Sequence, residues 1–205
     1  EWLSGMLDGE LRTKHLRGDV MAALAVHRTP LSFESLARIA RSGTEFEERR
    51  NAVFWLAHVR GREGAQLTTS IMFRDTDPRM REHAAFALTQ SSSPRVAEDL
   101  TRLATTDRDP DVRGQAWFWL AHSGSPQAEA SVTGALRNER DAHVREQAIF
   151  ALSQLPDDRA TPALIGVAEN RSLPAEDRKR AIFWLSQAGS DGALAYLDKV
   201  LQTSR

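Results

Sequence analysis

The chain has 205 residues, 27 basic against 28 acidic side chains for a formal net charge of −1, and no cysteine. Such a balance provides no overall attraction to nucleic acid or anionic lipid, and without cysteine there is no disulfide framework, no Cys-based zinc site and no thiol nucleophile. No apolar run approaches the ~18 residues that a membrane-spanning helix needs, and no signal-peptide pattern is present.

Starting at Glu1 rather than Met, the chain is compatible with loss of a leader or of a preceding domain, and its compartment stays open. The first predicted element is a helix through Arg17–Leu24 (RGDVMAAL), the weakest of six copies of the segment Arg-x-x-Ala-x-Phe-x-Leu. It keeps Arg17 and Leu24 but has Val20 and Ala22 where the other copies have Ala and Phe. Those copies follow at Arg49–Leu56 (RRNAVFWL), Arg81–Leu88 (REHAAFAL), Arg113–Leu120 (RGQAWFWL), Arg145–Leu152 (REQAIFAL) and Arg178–Leu185 (RKRAIFWL), a step of 32 residues with a last step of 33. Repeats are expected to begin near Arg12, Thr44, Asp77, Asp109, Asp141 and Pro174. Self-similarity at this period marks a solenoid, in which each unit buries its apolar face only against its neighbours.

The fourth repeat shows the physics. Asp109-Pro110 supplies an N-cap and a first-turn proline, as Asp77-Pro78 does one repeat earlier. A helix then carries Val112, Ala116, Trp117 and Leu120 on one side and stops near Ser123-Gly124-Ser125-Pro126. A second helix, from about Gln127 to Asn138, turns Ala128, Val132, Ala135 and Leu136 inward. No segment shows strand alternation, so the predicted fold is all-α.

On the Asp109–Arg113 stretch, the Ala116–Leu120 segment and the apolar second helix, the chain resembles the HEAT repeat family, in particular the short bacterial HEAT-like repeats also found in phycobilisome lyase subunits. The resemblance implies a right-handed α-solenoid of about six HEAT-like helical hairpins, a single repeat domain over residues 1–205. It also implies that each arginine reaches an aspartate of an inter-repeat turn, and Asp77, Asp109 and Asp141 sit four residues before Arg81, Arg113 and Arg145. Glu48 and Asp177 stand where Met80, Val112 and Val144 precede the arginine in the middle copies. The junctions Arg41–Glu48 and Arg171–Asp177 are therefore expected to have their own geometry.

Counting from the arginine as zero, positions minus one, three, four and seven mark the core, and at about 100° per residue position five lies well away from it. Phe54, Phe86, Phe118, Phe150 and Phe183 are thus expected on a shared surface. Beside them run polar columns, with His83, Gln115 and Gln147 at position two and His58, Gln90, His122, Gln154 and Gln187 at position nine. Trp55, Trp119 and Trp184 alternate with Ala87 and Ala151 at position six. The indoles and phenylalanines admit two readings, packing between repeats or a binding wall, since large rings against small neighbours interdigitate and tryptophan is enriched at hot spots. In proteins that this chain resembles, these offsets fall on the concave face. All sixteen are candidates for a groove that contacts a protein or peptide.

Catalytic signatures do not stand out. His58 and His122 are two repeats apart, about 16–20 Å at ordinary helix spacing, too far to share a metal. No metal site, no cofactor and no catalytic residue is expected. The His-Glu pairs of the metalloenzyme in the resembled family do not occur; Glu82-His83 is reversed. Arg50, Lys179 and Arg180 face Asp19, Glu82 and Glu146, a mixed set with little pull on phosphate, so nucleic acid is not the expected partner. The expected function is a non-catalytic protein-interaction scaffold, a monomeric domain or part of a larger chain. A bilin-lyase-like or DNA-glycosylase-like protein using the Trp-lined groove is the alternative.

Overall fold

The computed structural model describes residues 14–27 and 29–203. Over these the chain forms twelve α-helices: α1 (Lys14–Val26), α2 (Pro30–Ser42), α3 (Phe46–Val59), α4 (Gly61–Arg74), α5 (Pro78–Thr89), α6 (Val96–Thr106), α7 (Pro110–His122), α8 (Ala128–Leu136), α9 (Ala142–Ser153), α10 (Asp157–Glu169), α11 (Ala175–Ala188) and α12 (Asp191–Thr203). Among the described residues there is no strand. The start of the first repeat near Arg12 and the side chain of Arg17 lie outside the described residues. Odd-numbered helices carry the repeated segment and even-numbered helices are their partners, the two-helix unit of an α-solenoid.

Helix starts follow the local chemistry. Asp77, Asp109 and Asp141 hold extended backbone and accept from amides of the first turn: Asp77 from Arg79, Asp109 from Asp111 and Val112, Asp141 from His143 and Val144. Each satisfies donors that a helix N-terminus leaves unpaired. Thr29 caps α2 through a reciprocal pair with Ser32, followed by Pro30. By contrast α3 and α11 start after Glu45 and Pro174 without a side-chain cap, so the two junctions singled out in the sequence do differ from the rest. Only Arg60 separates α3 from α4. That turn needs Gly61 at φ 55°, and a Cβ on Gly64 would stand 1.8 Å from the Leu56 carbonyl oxygen.

The helices gather into two compact units, residues 1–96 and 97–205. In the first, α3 packs between α1 and α5 while α2 and α4 form a second layer, α2 on α1 and α3, α4 on α3 and α5. In the second, α9 packs between α7 and α11, and α10 between α8 and α12. The core is the predicted stripe. Met80, Ala84, Ala85 and Leu88, then Val112, Ala116, Trp117 and Leu120, then Val144, Ala148, Ile149 and Leu152 are all buried, as are Ala52, Val53 and Leu56. Each such leucine contributes roughly 1.5–3 kcal/mol by leaving water. Ala128, Val132 and Leu136 are buried from the second helix, but Ala135 is only half-buried.

The arginine column grips the turns with partners other than those expected. The aspartates four residues before the arginines are spent on capping. It is the acid two residues before the capping aspartate, in the turn that follows the preceding helix, that receives the guanidinium in two of the repeats. Arg49 pairs with Asp75, and Arg113 forks onto Glu139 at 3.1 and 3.3 Å. Meanwhile Arg81 donates to the Asp75 carbonyl at 3.0 Å, Arg113 to the Asp107 carbonyl at 3.0 Å and Arg145 to the Glu139 carbonyl at 3.2 Å. The turns at Asp75 and Glu139 are thus held by arginines of two successive repeats. Position 171, where Arg145 would find its acid, is an arginine. The buried Asp177 takes that role, with Arg145 Nε donating to it at 2.6 Å.

Candidate functional site

Within residues 1–96, α3 and α5 display six of the sixteen candidates. Phe54 and Phe86 stack with ring centroids 6.2 Å apart and planes 13° apart, Trp55 meets Phe54 edge-on at 5.4 Å, and His58 lies parallel to Phe54 at 5.6 Å. His83 donates its Nε2–H to the Arg50 carbonyl at 2.9 Å. Burial of this ring pushes its pKa from 6.5 to about 4, only partly opposed by that bond. His83 is therefore a neutral tie between α3 and α5. Gln90 is exposed on the same side.

Within residues 97–205, α7, α9 and α11 display the other ten. Phe118 stacks on Phe150 at 5.9 Å and 9°, and Phe150 meets Trp184 at 5.1 Å. Trp119 lies edge-on to Phe118 at 4.9 Å, and the His122 ring is 4.2 Å from Phe118. Phe183 is edge-on to Trp184 and 54% exposed. The other four phenylalanines and all three of these tryptophans are half-buried. The rings therefore stack between neighbouring repeats and still keep part of their surface exposed. Gln115, Gln154, Gln187 and His122 are exposed beside them, and Gln147 is half-buried.

A hydrogen-bond relay orients the position-nine column, and it involves residues that sequence reasoning passed over. Thr89, Ser153 and Ser186, at position eight, donate their hydroxyls to the carbonyls of Phe86, Phe150 and Phe183 at 2.7, 2.7 and 2.6 Å. Gln90, Gln154 and Gln187 then donate Nε2–H to those hydroxyls at 3.0, 3.1 and 3.2 Å. Position eight is alanine at Ala121, and there His122 Nδ1–H donates directly to the Phe118 carbonyl at 3.0 Å. The pairing of Ser or Thr with Gln, and of Ala with His, was the available signal. In His58, whose position eight is Ala57, Nδ1 stands 3.4 Å from the Gln90 carbonyl instead.

Cations near the rings are engaged by acids in each unit: in the first Arg50 by Glu47 at 3.1 Å, in the second Lys179 by Glu176 at 2.8 Å and Arg180 by Glu146. Among the described residues no three His, Asp or Glu side chains converge as metal ligands do, and no helix is long and apolar enough to cross a membrane. A separate trough of about 1090 Å³ opens between α2 and α4, lined by Thr29, Phe33, Glu34, Arg60, Glu63 and Leu67 among others. Its floor is tied by Arg60, which donates to Ser32 Oγ at 2.6 Å and lies 5.7 Å from the Phe33 ring centre. Of the sixteen candidates only His58 borders it.

The family described as HEAT repeats matches residues 33–117 and 103–175. No curated protein matches the sequence. Among solved structures, human deoxyhypusine hydroxylase in complex with glycerol is similar at 15% identity over 97% of this chain and 88% of its own, with a TM-score of 0.43. A designed armadillo repeat protein in complex with the peptide (KR)4 is similar at 14% identity over 93% of this chain and 100% of its own, TM-score 0.41. An engineered protein is similar at 17% identity over 98% and 87%, TM-score 0.30.

Proposed function

Because the chain belongs to the HEAT repeat family, we propose that it is a non-catalytic interaction module that binds a polypeptide on the ring-bearing face of its odd-numbered helices. HEAT-type stacking lines up equivalent side chains of successive repeats, which suits recognition of an extended surface. The observation that carries the reading is the row Phe118, Phe150, Trp184 bordered by Gln154 and Gln187, held through the relay, and by His122, held directly on the Phe118 carbonyl. Large half-buried rings supply contact area at little entropic cost, and polar groups held in place beside them lose little freedom on binding. Engagement of Arg50, Lys179 and Arg180 by carboxylates leaves a weak field for phosphate, which favours polypeptide over nucleic acid.

The test is affinity capture with the intact chain and with a Phe118→Ala, His122→Ala double variant side by side. A bound polypeptide is expected to be lost by the variant, with a drop of about 2 kcal/mol or more in affinity for a central hot spot. Far-ultraviolet circular dichroism should be the same for both. Equal capture by the two proteins would remove this face from the binding site.

A further inference from the structure

Resting on the polypeptide-binding reading above, we infer that the segment bound on residues 97–205 is an extended strand with apolar side chains at alternate positions, and not a helix. The ring row steps 5.9 Å from Phe118 to Phe150 and 5.1 Å from Phe150 to Trp184. Same-face side chains recur at about 6.4–6.8 Å along a strand, and a helical turn advances about 5.4 Å, so the step by itself admits either occupant. Hydrogen-bonding capacity separates them.

A helix spends its backbone N–H and C=O groups on itself, whereas a lone strand offers them along both edges. The face has polar columns along both sides of the ring row to meet those edges. On one side, the exposed Gln154 and Gln187 carboxamides are each anchored through one N–H to Ser153 and Ser186, which leaves Oε1 and the second N–H for a partner. His122 is anchored through Nδ1–H, which leaves Nε2 for a further hydrogen bond. On the other side stand the Gln115 and Gln147 carboxamides, with Arg180 held by Glu146. Residues of a strand that point down onto the rings present N–H and C=O toward one edge, and the intervening residues present theirs toward the other. Amide side chains, which both donate and accept, complement that pattern, and the near-neutral columns favour a segment without a strong net charge.

The experiment selects a displayed library of random linear 12-residue peptides on the intact 205-residue chain, with counter-selection on the Phe118→Ala, His122→Ala variant. The best peptide is then synthesised with single backbone N-methyl groups and titrated by calorimetry. Apolar anchors spaced i, i+2, i+4 are expected, with single N-methylation at central positions on either edge weakening binding tenfold or more. Gln154→Leu is expected to weaken the parent peptide several-fold at an unchanged melting temperature. Anchors at i, i+3, i+4 with helicity gained on binding, or tolerance of every N-methyl group, would overturn the strand while leaving the binding face intact. Failure to enrich any peptide that distinguishes the chain from its double variant would overturn the polypeptide-binding reading itself.

Discussion

Single side chains decide how the repeats are fastened. Arg113 forks onto Glu139 and donates to the Asp107 carbonyl, so Arg113→Ala removes three bonds from two turns. A loss of roughly 1–3 kcal/mol is expected, while the exposed Arg137→Ala should shift the denaturant midpoint little. Arg145→Ala should cost more, about 3–5 kcal/mol, because it strands Asp177, whose side chain is only 4% exposed, without its counter-charge. Changing both partners to apolar side chains, Arg145→Met with Asp177→Val, the latter being the type found at Val112 and Val144, should recover most of that loss in urea melts. His83 carries a pH signature. Its folded-state pKa lies below the unfolded value, so between pH 6.5 and about 4 the unfolded chain takes up a proton that the folded chain refuses. Stability should therefore fall as pH drops through that window and level off below it, by about 1–3 kcal/mol for a half-buried ring in partial contact with solvent. Comparing urea midpoints of wild type and His83→Gln at pH 7.5, 5.5 and 4.0 isolates this contribution, which the variant should lack.

At the level of elements, the shortest connection is the most constrained. With Arg60 alone between α3 and α4, the helices close so tightly that a methyl group at Gly64 collides with main chain and not with a movable side chain. Gly64→Ala is expected to destabilise the chain by about 2–4 kcal/mol, despite alanine's better helix propensity, because overpacking against backbone outweighs the ~1 kcal/mol that propensity favours. A thermal melt of that variant at or above the wild-type midpoint would show that α4 can slide. Capping explains why the middle repeats are the most regular. Asp77, Asp109 and Asp141 each satisfy first-turn amides, whereas α3 and α11 begin without such a cap.

Across the whole molecule, charge is balanced in total and also paired locally beside the rings of each unit. Binding to a 20-base-pair duplex should accordingly be undetectable near 150 mM salt, and any association at lower salt should have a shallow dependence on salt concentration, since few phosphates are neutralised. Tight, steeply salt-dependent binding would favour the glycosylase-like alternative over the polypeptide. Each compact unit carries its own set of rings and polar side chains, Phe54 to Gln90 in one and Gln115 to Gln187 in the other. Each can be probed by its own ring substitutions.

The sequence by itself determined what depends on local periodicity and local hydrogen bonding. The recurrence of Arg-x-x-Ala-x-Phe-x-Leu marks the repeats, Asp-Pro pairs mark helix starts, and the 3.6-residue period separates Leu88, Leu120 and Leu152 in the core from the phenylalanine column. Even the geometry at Glu45 and Pro174 was foreshadowed by Glu48 and Asp177. The turns that the arginines reach were equally periodic, at Asp75, Asp107 and Glu139, but an ion pair between side chains 26 residues apart, as in Arg49–Asp75 and Arg113–Glu139, depends on where the neighbouring helices lie. The buried pairing of Arg145 with Asp177 depends on it too. Helical angle says which way Phe118 or Trp184 points but not how near the next helix comes, so only the tertiary structure decided that these rings stack and still remain half in solvent. The trough between α2 and α4 has the same origin, in interhelical distance, which no spacing along one chain encodes, whereas the relay through Ser153 and Ser186 is local to one helix and was legible in the Ser-Gln pairs.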